Sequence, residues 1–394
     1  MKILLSIVII LVISVIAIDW QILKRLKKNN HTRLKNAHIA FSALIYIILA
    51  TIAIALFQKL PVNSGVYLWT LYFCLSVLIC KFIYAIFEIL SKIPRLFKKK
   101  ESKAIQYTGI AITSLLLFQM LWVAFVTPFQ INLHEETIVL PKLPKVFDGY
   151  KILHFSDLHA GIYGKDTKAI EKLVNEINAT NPDIIVFTGD IVSHKTSELD
   201  PFIKTLKKLK AKDGIFSVLG NHDYGDYAKW NNSNEKENNL KDLISINKDS
   251  LGWILLNNEH YYIHKEMDSI AVVGVENWGE PPFKQYGNLQ KAMPKNNDCI
   301  TLLLTHNPKH WEAEVIGKTS IDVTFSGHTH AMQSMVEFKG KAYSPASLRY
   351  KYWGRLYNNS NQYINVNTGV GMVGIPARFG AKPEISLITL KNNK

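Results

Sequence analysis

Ile152-Leu153-His154-Phe155-Ser156-Asp157-Leu158-His159 is an apolar, β-prone run that ends in a carboxylate and an imidazole. The same pattern recurs downstream. Ile184-Ile185-Val186-Phe187-Thr188 leads to Gly189-Asp190, and Ile215-Phe216-Ser217-Val218-Leu219 leads to Gly220-Asn221-His222-Asp223. Ile300-Thr301-Leu302-Leu303-Leu304 precedes His306, and Ile321-Asp322-Val323-Thr324-Phe325 precedes Gly327-His328-Thr329-His330. Runs of this kind read as strands, so five strand ends deliver Asp, His and Asn side chains into loops. These oxygen and nitrogen donors are ligands of divalent metals. Between the runs, residues 167–179 have helical spacing (Ile170, Leu173, Val174, Ile177), and Asp200-Pro201 opens a second predicted helix. Strand–helix–strand order predicts parallel pairing in an α/β sheet.

Metal-assisted phosphoester hydrolysis works best with a pair of cations that clamp the phosphoryl oxygens and acidify a water. A shared carboxylate and a shell of neutral imidazoles and carbonyl oxygens suit such a pair. Asp157 and His159, two apart at a strand end, are predicted to serve one ion. Asp190 is the natural bridge, Asn221 offers an amide oxygen, and His306, His328 and His330 complete the shells. His222, pointing away from Asn221, is left to act on the phosphate as acid or charge stabiliser, with Asp223 orienting it. Each motif alone is weak, since an isolated Asp-x-His or His-x-His is commonly incidental. All five in order, each closing an apolar run, exclude coincidence. His154 reads as packed beneath the site and His310 as a candidate substrate contact, whereas His134, His194, His260 and His264 read as surface residues.

The net charge of +14 suggests a polyanion-binding protein until it is located. Residues 1–127 carry 15 Lys/Arg against Asp19, Glu88 and Glu101, which leaves +2 for the remainder. The basicity therefore belongs to the N-terminal segment, and no nucleic-acid partner is expected. That segment holds four apolar stretches, 3–18, 37–57, 60–90 and 104–127, near the length needed to cross a bilayer. The first lacks a small-x-small cleavage site before Asp19 and is read as an uncleaved helix. Lys24, Arg25, Lys27, Lys28, Arg33 and Lys35 lie in one loop, and Lys92, Arg95, Lys98, Lys99, Lys100 and Lys103 in another. The intervening loop holds only Lys59. The positive-inside rule puts both basic loops in the cytoplasm and everything after residue 127 outside it. Lys81 and Glu88 are expected near an interface, so the segment reads as an anchor. Of the three cysteines, Cys299 stands alone after the apolar segment, which excludes both a disulfide and a thiolate zinc site there.

The expected organisation is a transmembrane segment of about four helices (1–127), a linker and edge strand (128–150), and a catalytic domain (151–394). Within the last, the Asn-rich stretch 226–239 is expected as an exposed excursion and 240–251 as a helix. Residues 277–294, with Trp278, Phe283 and Tyr286, are expected as an aromatic loop over the site.

The order Asp-x-His, Gly-Asp, Gly-Asn-His-Asp, His, Gly-His-x-His resembles the calcineurin-like metallophosphoesterase superfamily over about residues 148–391. The ending, Asn367-Thr368-Gly369-Val370-Gly371 through Pro376-Ala377-Arg378-Phe379-Gly380, is similar to its membrane-associated bacterial phosphodiesterase branch. The resemblance implies a four-layer α/β/β/α sandwich with two divalent ions (Mn, Fe or Zn). One would be held by Asp157, His159, Asp190 and His330, the other by Asp190, Asn221, His306 and His328, with His222 near the scissile phosphate. Three positions depart from the family pattern. Ser193 stands where a second Asp is common, Ala331 where Gly usually follows the last histidine, and no Arg follows Gly189-Asp190. The last departure favours diesters over monoesters. Arg378 is a candidate phosphate contact or a structural residue.

The expected protein is a multi-pass membrane phosphodiesterase for a lipid-linked or envelope substrate, its catalytic domain outside the cytoplasm. A rival within enzymes is a UDP-2,3-diacylglucosamine-type pyrophosphatase of lipid A synthesis, which a cytoplasmic catalytic domain would favour. A rival of another class, a non-catalytic receptor or scaffold, predicts missing ligands, and every ligand position is filled. Oligomeric state is not legible.

Overall fold

The computed structural model describes residues 2–28, 30–57, 65–281, 284–295 and 298–392, so Phe283 lies outside the described residues. The chain forms two compact units, Met1–Ala124 and Phe125–Lys394.

The first unit is helical: α1 (Lys2–Lys28), α2 (Thr32–Phe57), α3 (Gly65–Lys92) and α4 (Lys103–Phe125). By length and composition, three helical segments among the described residues suffice to cross a membrane: Thr32–Ala55, Val66–Phe97 and Lys103–Phe129. Their outward faces are apolar, as lipid contact requires. The polar residues between them are paired within the helical unit. Lys81 is buried and sits 3.0 Å from Asp19, whose carboxylate also meets His38 at 3.1 Å and Tyr46. Lys81 donates to Ser42 at 2.8 Å. Glu88, also buried, pairs with Arg25 and with Lys92, 3.1 Å away. Polar groups buried among apolar helices are satisfied by pairing with one another.

The second unit is mixed α/β. Its strands are β1 (Asn132–Val139), β2 (Lys151–Phe155), β3 (Ile184–Phe187), β4 (Ile215–Ser217), β5 (Ile254–Leu255), β6 (Glu259–Lys265) and β7 (Asp268–Gly274). They continue with β8 (Ile300–Leu304), β9 (Val323–Ser326), β10 (Val336–Phe338), β11 (Lys341–Tyr343), β12 (Arg355–Asn359), β13 (Gln362–Val366) and β14 (Glu384–Lys391). One six-stranded sheet runs β1-β14-β2-β3-β4-β5, and the other β12-β13-β9-β8-β7-β6. In the first, β2 to β5 are parallel, β14 is antiparallel to β2, and β1 lies parallel to β14 at the edge.

Side-chain alternation divides these strands between cores. Ile152, Ile184 and Phe216 of the first sheet share a core with Val272, Leu302, Val323 and Phe325 of the second. On the other side, Leu153, Ile185 and Phe187 pack with Ile170, Leu173 and Ile177 of α5 (Lys168–Ala179), Leu206 of the one-turn α6 (Ile203–Leu206) and Leu243 of α7 (Ser233–Ser245). Val273 and Leu303 of the second sheet face Leu289 and Ala292 of α8 (Leu289–Ala292) and the Trp311–Val315 turn. Burial on both faces explains why the central strands read as continuous apolar runs.

Two expectations along this unit are corrected. The helix opened by Asp200-Pro201 is only one turn of α-helix. The Asn-rich stretch is half helical, because α7 begins at Ser233, where Asn232 caps it by accepting from the Glu235 N–H at 2.9 Å. Its buried stripe includes Asn239, which binds Thr196 through both its side chain and its carbonyl, so a polar residue masks the periodicity.

The register sets all five motif strands to end together. Phe155 pairs with Phe187, Phe187 with Ser217, and Leu304 with Phe325, so the following loops leave the two sheets at one end. The chain also enters this unit at that end. Asn132, the first residue of β1, pairs with Glu384, and the antiparallel β14 then places Ser386 beside His154.

Candidate metal centre

Beyond each strand end the backbone leaves extended geometry abruptly. Asp157, His159, Asp190, His328 and His330 all have positive φ, at 54°, 47°, 60°, 75° and 50°. Non-glycine residues pay to stand in this left-handed region, and such strain collects at functional sites. The convergence of Asp157 with His159 therefore comes from a left-handed turn, not from the strand pleat that the spacing implied. The turns lock against one another through backbone bonds, Asp157 N–H to Gly189 O (2.9 Å), His159 N–H to Asp190 O (3.1 Å) and Gly327 N–H to His306 O (3.0 Å). Gly189 is required because its φ is +94° and a Cβ there would strike the backbone of Gly220. A Cβ at Gly327 would strike Ser156 and the Asp157 carboxylate.

The side chains meet in two groups. In the first, His330 Nε2 lies 3.2 Å from Asp157 Oδ1 and 3.0 Å from His159 Nε2, which is 3.6 Å from Asp190 Oδ2. In the second, His306 Nε2 lies 3.2 Å from Asp190 Oδ2, 3.0 Å from Asn221 Oδ1 and 3.1 Å from His328 Nδ1. Asp190 Oδ2 belongs to both. All seven residues predicted as metal ligands are thus brought together, and His328 and His330, only two apart, go to different groups.

The donor chemistry fits cations. Ring nitrogens face ring nitrogens and carboxylates, so most of these atoms can only present lone pairs. Asp157 Oδ1 and His159 Nδ1 are buried without a hydrogen-bond partner. The Thr188 carbonyl accepts from His306 Nδ1 at 2.8 Å, which turns the lone pair of Nε2 inward. Burial and the neighbouring His222 hold His159 well below its usual pKa, and burial with His306 nearby brings His328 down to about 3, so both stay neutral. His306 moves the other way. Burial would lower it, but Asp190 raises it to about 9, because a proton on Nε2 is the smallest cation able to bridge these acceptors. Asp190, although buried, is held well below the usual carboxylate range by His306 and His222.

His222 stands at the edge of the first group, its ring centroid 4.8 Å from that of His159. Together with His159 and Asp190 it forms a further cluster of possible ligands. Asp223 does not orient it, contrary to the expectation from sequence. Its carboxylate accepts the backbone N–H groups of Asp190 (2.8 Å), Ile191 (2.9 Å), Val192 (3.3 Å) and Gly220 (2.8 Å) and so ties two ligand loops together. Burial and Asp190 push its carboxyl up to about 7. His222 is instead oriented by the Ser193 carbonyl, which accepts from Nδ1 at 2.7 Å, and by Tyr227, stacked at 4.0 Å.

Several partners were not readable from sequence. Glu198 accepts the N–H groups of Ser193 (2.6 Å), His194 (3.0 Å) and Lys195 (3.2 Å), supporting the loop where Ser193 replaces the family aspartate. Tyr350 meets His328 Nε2 at 3.0 Å, and the Asn221 amide donates to Tyr227 at 2.9 Å. Nothing in local spacing marks Tyr350, 20 residues beyond His330, whereas Tyr227 follows the Gly-Asn-His-Asp loop closely.

Other expectations change. Arg378 is buried and donates to the carbonyls of Gly369 (2.9 Å), Gly371 and Ala381 (2.9 Å), so it braces the C-terminal loop beside His330. His310 is buried between Thr305 (3.0 Å) and Glu314 (3.3 Å), stacked on Trp278, out of reach of a substrate. Trp278 and Tyr286 are engaged with His310 and Tyr224, so the loop borders the site through Asn277, Gly279 and Glu280 instead. These residues, with Asn221, His328 and Arg349, line a small opening to the centre. His154 is buried between the sheets, bonded to Thr188 (2.9 Å) and Asn365 (2.8 Å), as expected of a packed residue.

Residues 150–332 match the calcineurin-like phosphoesterase family. An uncharacterized metallophosphoesterase of Bacillus subtilis, YkuE, is 30% identical over 68% of this chain and 88% of its own length. The chain belongs to the calcineurin-like phosphoesterase family. It is accordingly a phosphoric ester hydrolase of a family that uses divalent metals. An uncharacterized metallophosphoesterase of Helicobacter pylori is 30% identical over 66% of this chain and 64% of its own. A transmembrane protein with metallophosphoesterase domain from Danio rerio is 27% identical over 65% of this chain and 56% of its own. The chain thus spans less than two thirds of the length of these two relatives.

Proposed function

We propose that this protein is a membrane-anchored phosphodiesterase with two divalent cations, Mn, Fe or Zn, at the strand ends of a four-layer α/β/β/α sandwich. Asp157, His159, Asp190 and His330 hold one ion, and Asp190, Asn221, His306 and His328 the other. The observation that carries this reading is the position of Asp190 Oδ2, 3.6 Å from His159 Nε2 and 3.2 Å from His306 Nε2, between the two sets of acceptors. Bound cations would draw charge from the phosphoryl oxygens and bring a water toward neutrality. His222, its Nδ1 proton committed to Ser193, keeps Nε2 to hold and transfer the proton required by the departing alcohol. Asp223 and Glu198 fix the loops that carry Asp190, Asn221 and His222. No arginine follows Gly189-Asp190 to take the extra charge of a monoester, which favours a diester.

Four membrane helices, α1 among them, with both basic loops inside the cytoplasm, leave the catalytic unit outside it, where a lipid-linked or envelope phosphodiester is the substrate. Bis-p-nitrophenyl phosphate with Mn²⁺ tests the chemistry. Wild type is expected to cleave it, and Asp190→Ala to lose metal and at least about a thousandfold in rate. Undiminished activity in that variant would refute the assignment. A C-terminal reporter active only beyond the cytoplasm tests the orientation, and silence there would overturn it.

A further inference from the structure

A β-hairpin follows the His330 segment within a few residues, and its two faces differ. β10 and β11 pair antiparallel, with Val336 opposite Tyr343, Phe338 opposite Lys341, and Glu337 opposite Ala342. Ala342 packs inward against the cluster of Ala331, Ala346, Tyr350, Trp353 and Ala381. The opposite face looks outward, leaving Val336 66%, Phe338 61% and Tyr343 56% exposed. The turns His330–Gln333 and Pro345–Leu348 pack on each other beside it, and they leave Met332 46% and Leu348 91% exposed. Large apolar side chains gathered this way on a folded domain mark an interaction surface.

The charge on this face has one sign. Lys341 shares it, Lys339 stands at the turn with Nζ 5.4 Å from the Phe338 ring, and Arg349 follows Leu348, exposed. Glu337 points to the other face, where it pairs with Arg355. Apolar and aromatic residues flanked by cations, without a facing acid among the described hairpin residues, complement an anionic lipid surface. The hairpin also lies at the metal-centre end of the unit, since Tyr350 of the cluster on which Ala342 packs meets His328 Nε2 at 3.0 Å.

We propose that this hairpin face docks on an anionic bilayer, so that the metal centre beside it takes phosphodiester headgroups of lipids from the membrane plane. The substrate part rests on the phosphodiesterase reading above; the docking part does not. Hydrolysis consumes one water per lipid. A P–O bond forms to the water oxygen, the P–O bond to the leaving alcohol breaks, and one proton passes to that alcohol.

The test uses the full chain in bilayer discs of phosphatidylcholine and phosphatidylglycerol, with Cys74, Cys80 and Cys299 replaced by Ser. An environment-sensitive label is placed by Phe338→Cys or by Asn359→Cys, the latter exposed at the opposite end of its sheet. Lipid-borne spin labels are expected to quench the first label and not the second, and aqueous iodide to do the reverse. Iodide reaching both alike overturns the docking, and so does a label at 338 shielded from iodide and lipid together, which would indicate a protein partner or a second copy. A combined Val336→Ser, Phe338→Ser, Tyr343→Ser variant is then assayed on two substrates. Cleavage of bis-p-nitrophenyl phosphate should be unchanged, while cleavage of phosphatidyl-p-nitrophenol in the discs falls at least about tenfold, as expected for losing apolar burial worth a side chain or more. Equal loss on both substrates, no loss on the lipid, or a wild type that cleaves only the soluble ester overturns the lipid assignment. A wild type inert toward both esters, with the label at 338 still quenched by lipid, would instead refute the phosphodiesterase reading.

Discussion

In the helical unit Asp19 lies 3.0 Å from Lys81 and Glu88 pairs with Arg25, so these buried carboxylates have cations from the chain itself. At the strand ends of the other unit, Asp157 and Asp190 sit in a cluster of imidazole nitrogens, and Asp157 Oδ1 is buried without a hydrogen-bond donor. Both regions bury charge, but the first balances it with Lys81 and Arg25, whereas in the second His306 is pushed toward the charged form beside Asp190 while His159 and His328 are held neutral. A buried ion pair is complete when the protein folds, whereas a buried set of lone pairs is complete only with cations from solution. The difference separates a scaffold from a reactive centre without reference to any motif.

Chelation should separate the two most strongly. With metal supplied a thousandfold above its dissociation constant, its removal should cost the catalytic unit about 4 kcal/mol, seen as a lower melting temperature restored by Mn²⁺. The helical unit should be unaffected, and a chelator-insensitive catalytic unit would erase the contrast. Next in size, Asp19→Ala strands Lys81 in an apolar interior and should destabilise the helical unit by about 3 kcal/mol in detergent. Asp19→Leu combined with Lys81→Met should recover most of that loss. If the double variant is worse than the single, the pair does more than neutralise itself.

Asp223→Asn sharpens the contrast within the catalytic unit. It sets an amide NH₂ against backbone N–H groups that the carboxylate accepts, at an expected cost of about 2 kcal/mol in a urea titration. Metal content should largely persist, whereas a residue that merely oriented His222 would leave stability unchanged. The smallest effect concerns burial without clustering. Burial holds His154 at about 3 and His310 at about 4, although a facing Asp157 and Glu314 respectively favour the charged form. Below about 6.5 the unfolded chain takes up protons that the fold refuses, so stability is complete above that pH and declines as pH falls toward the folded values. Each histidine should account for about 2 kcal/mol between pH 7 and pH 5, and His310→Gln should flatten the urea-midpoint slope accordingly.

The eight donor positions Asp157 to His330 were readable because each closes an apolar run, and parallel strands that end together must bring such residues to one edge. Their supports were not. Glu198 and Tyr350 act through loops whose approach depends on tertiary packing, and Asp223 was misread because sequence adjacency to His222 says nothing about the N–H groups gathered around its carboxylate. Arg378 read equally well as ligand or brace until its carbonyl partners were visible. In the helices, the pairing of Lys81 with Asp19 and of Glu88 with Arg25 was not legible, because the partners lie more than 60 residues apart in sequence. Hydrophobic length could be read; pairing across helices could not.

The position of β14 orders the life history of the molecule. This strand, made more than 240 residues after β1, sits between β1 and β2, so β1 has no neighbour in its sheet until Glu384–Lys391 is made. During synthesis the nascent domain waits with the strand between β1 and β2 missing and β2 presenting an open edge. A stop codon or protease cut just before Glu384 would remove none of the eight metal-site residues, yet would leave them on a sheet that cannot close. The eight residues of β14 therefore settle, long after the metal-site loops are made, whether β1 and β2 join one sheet.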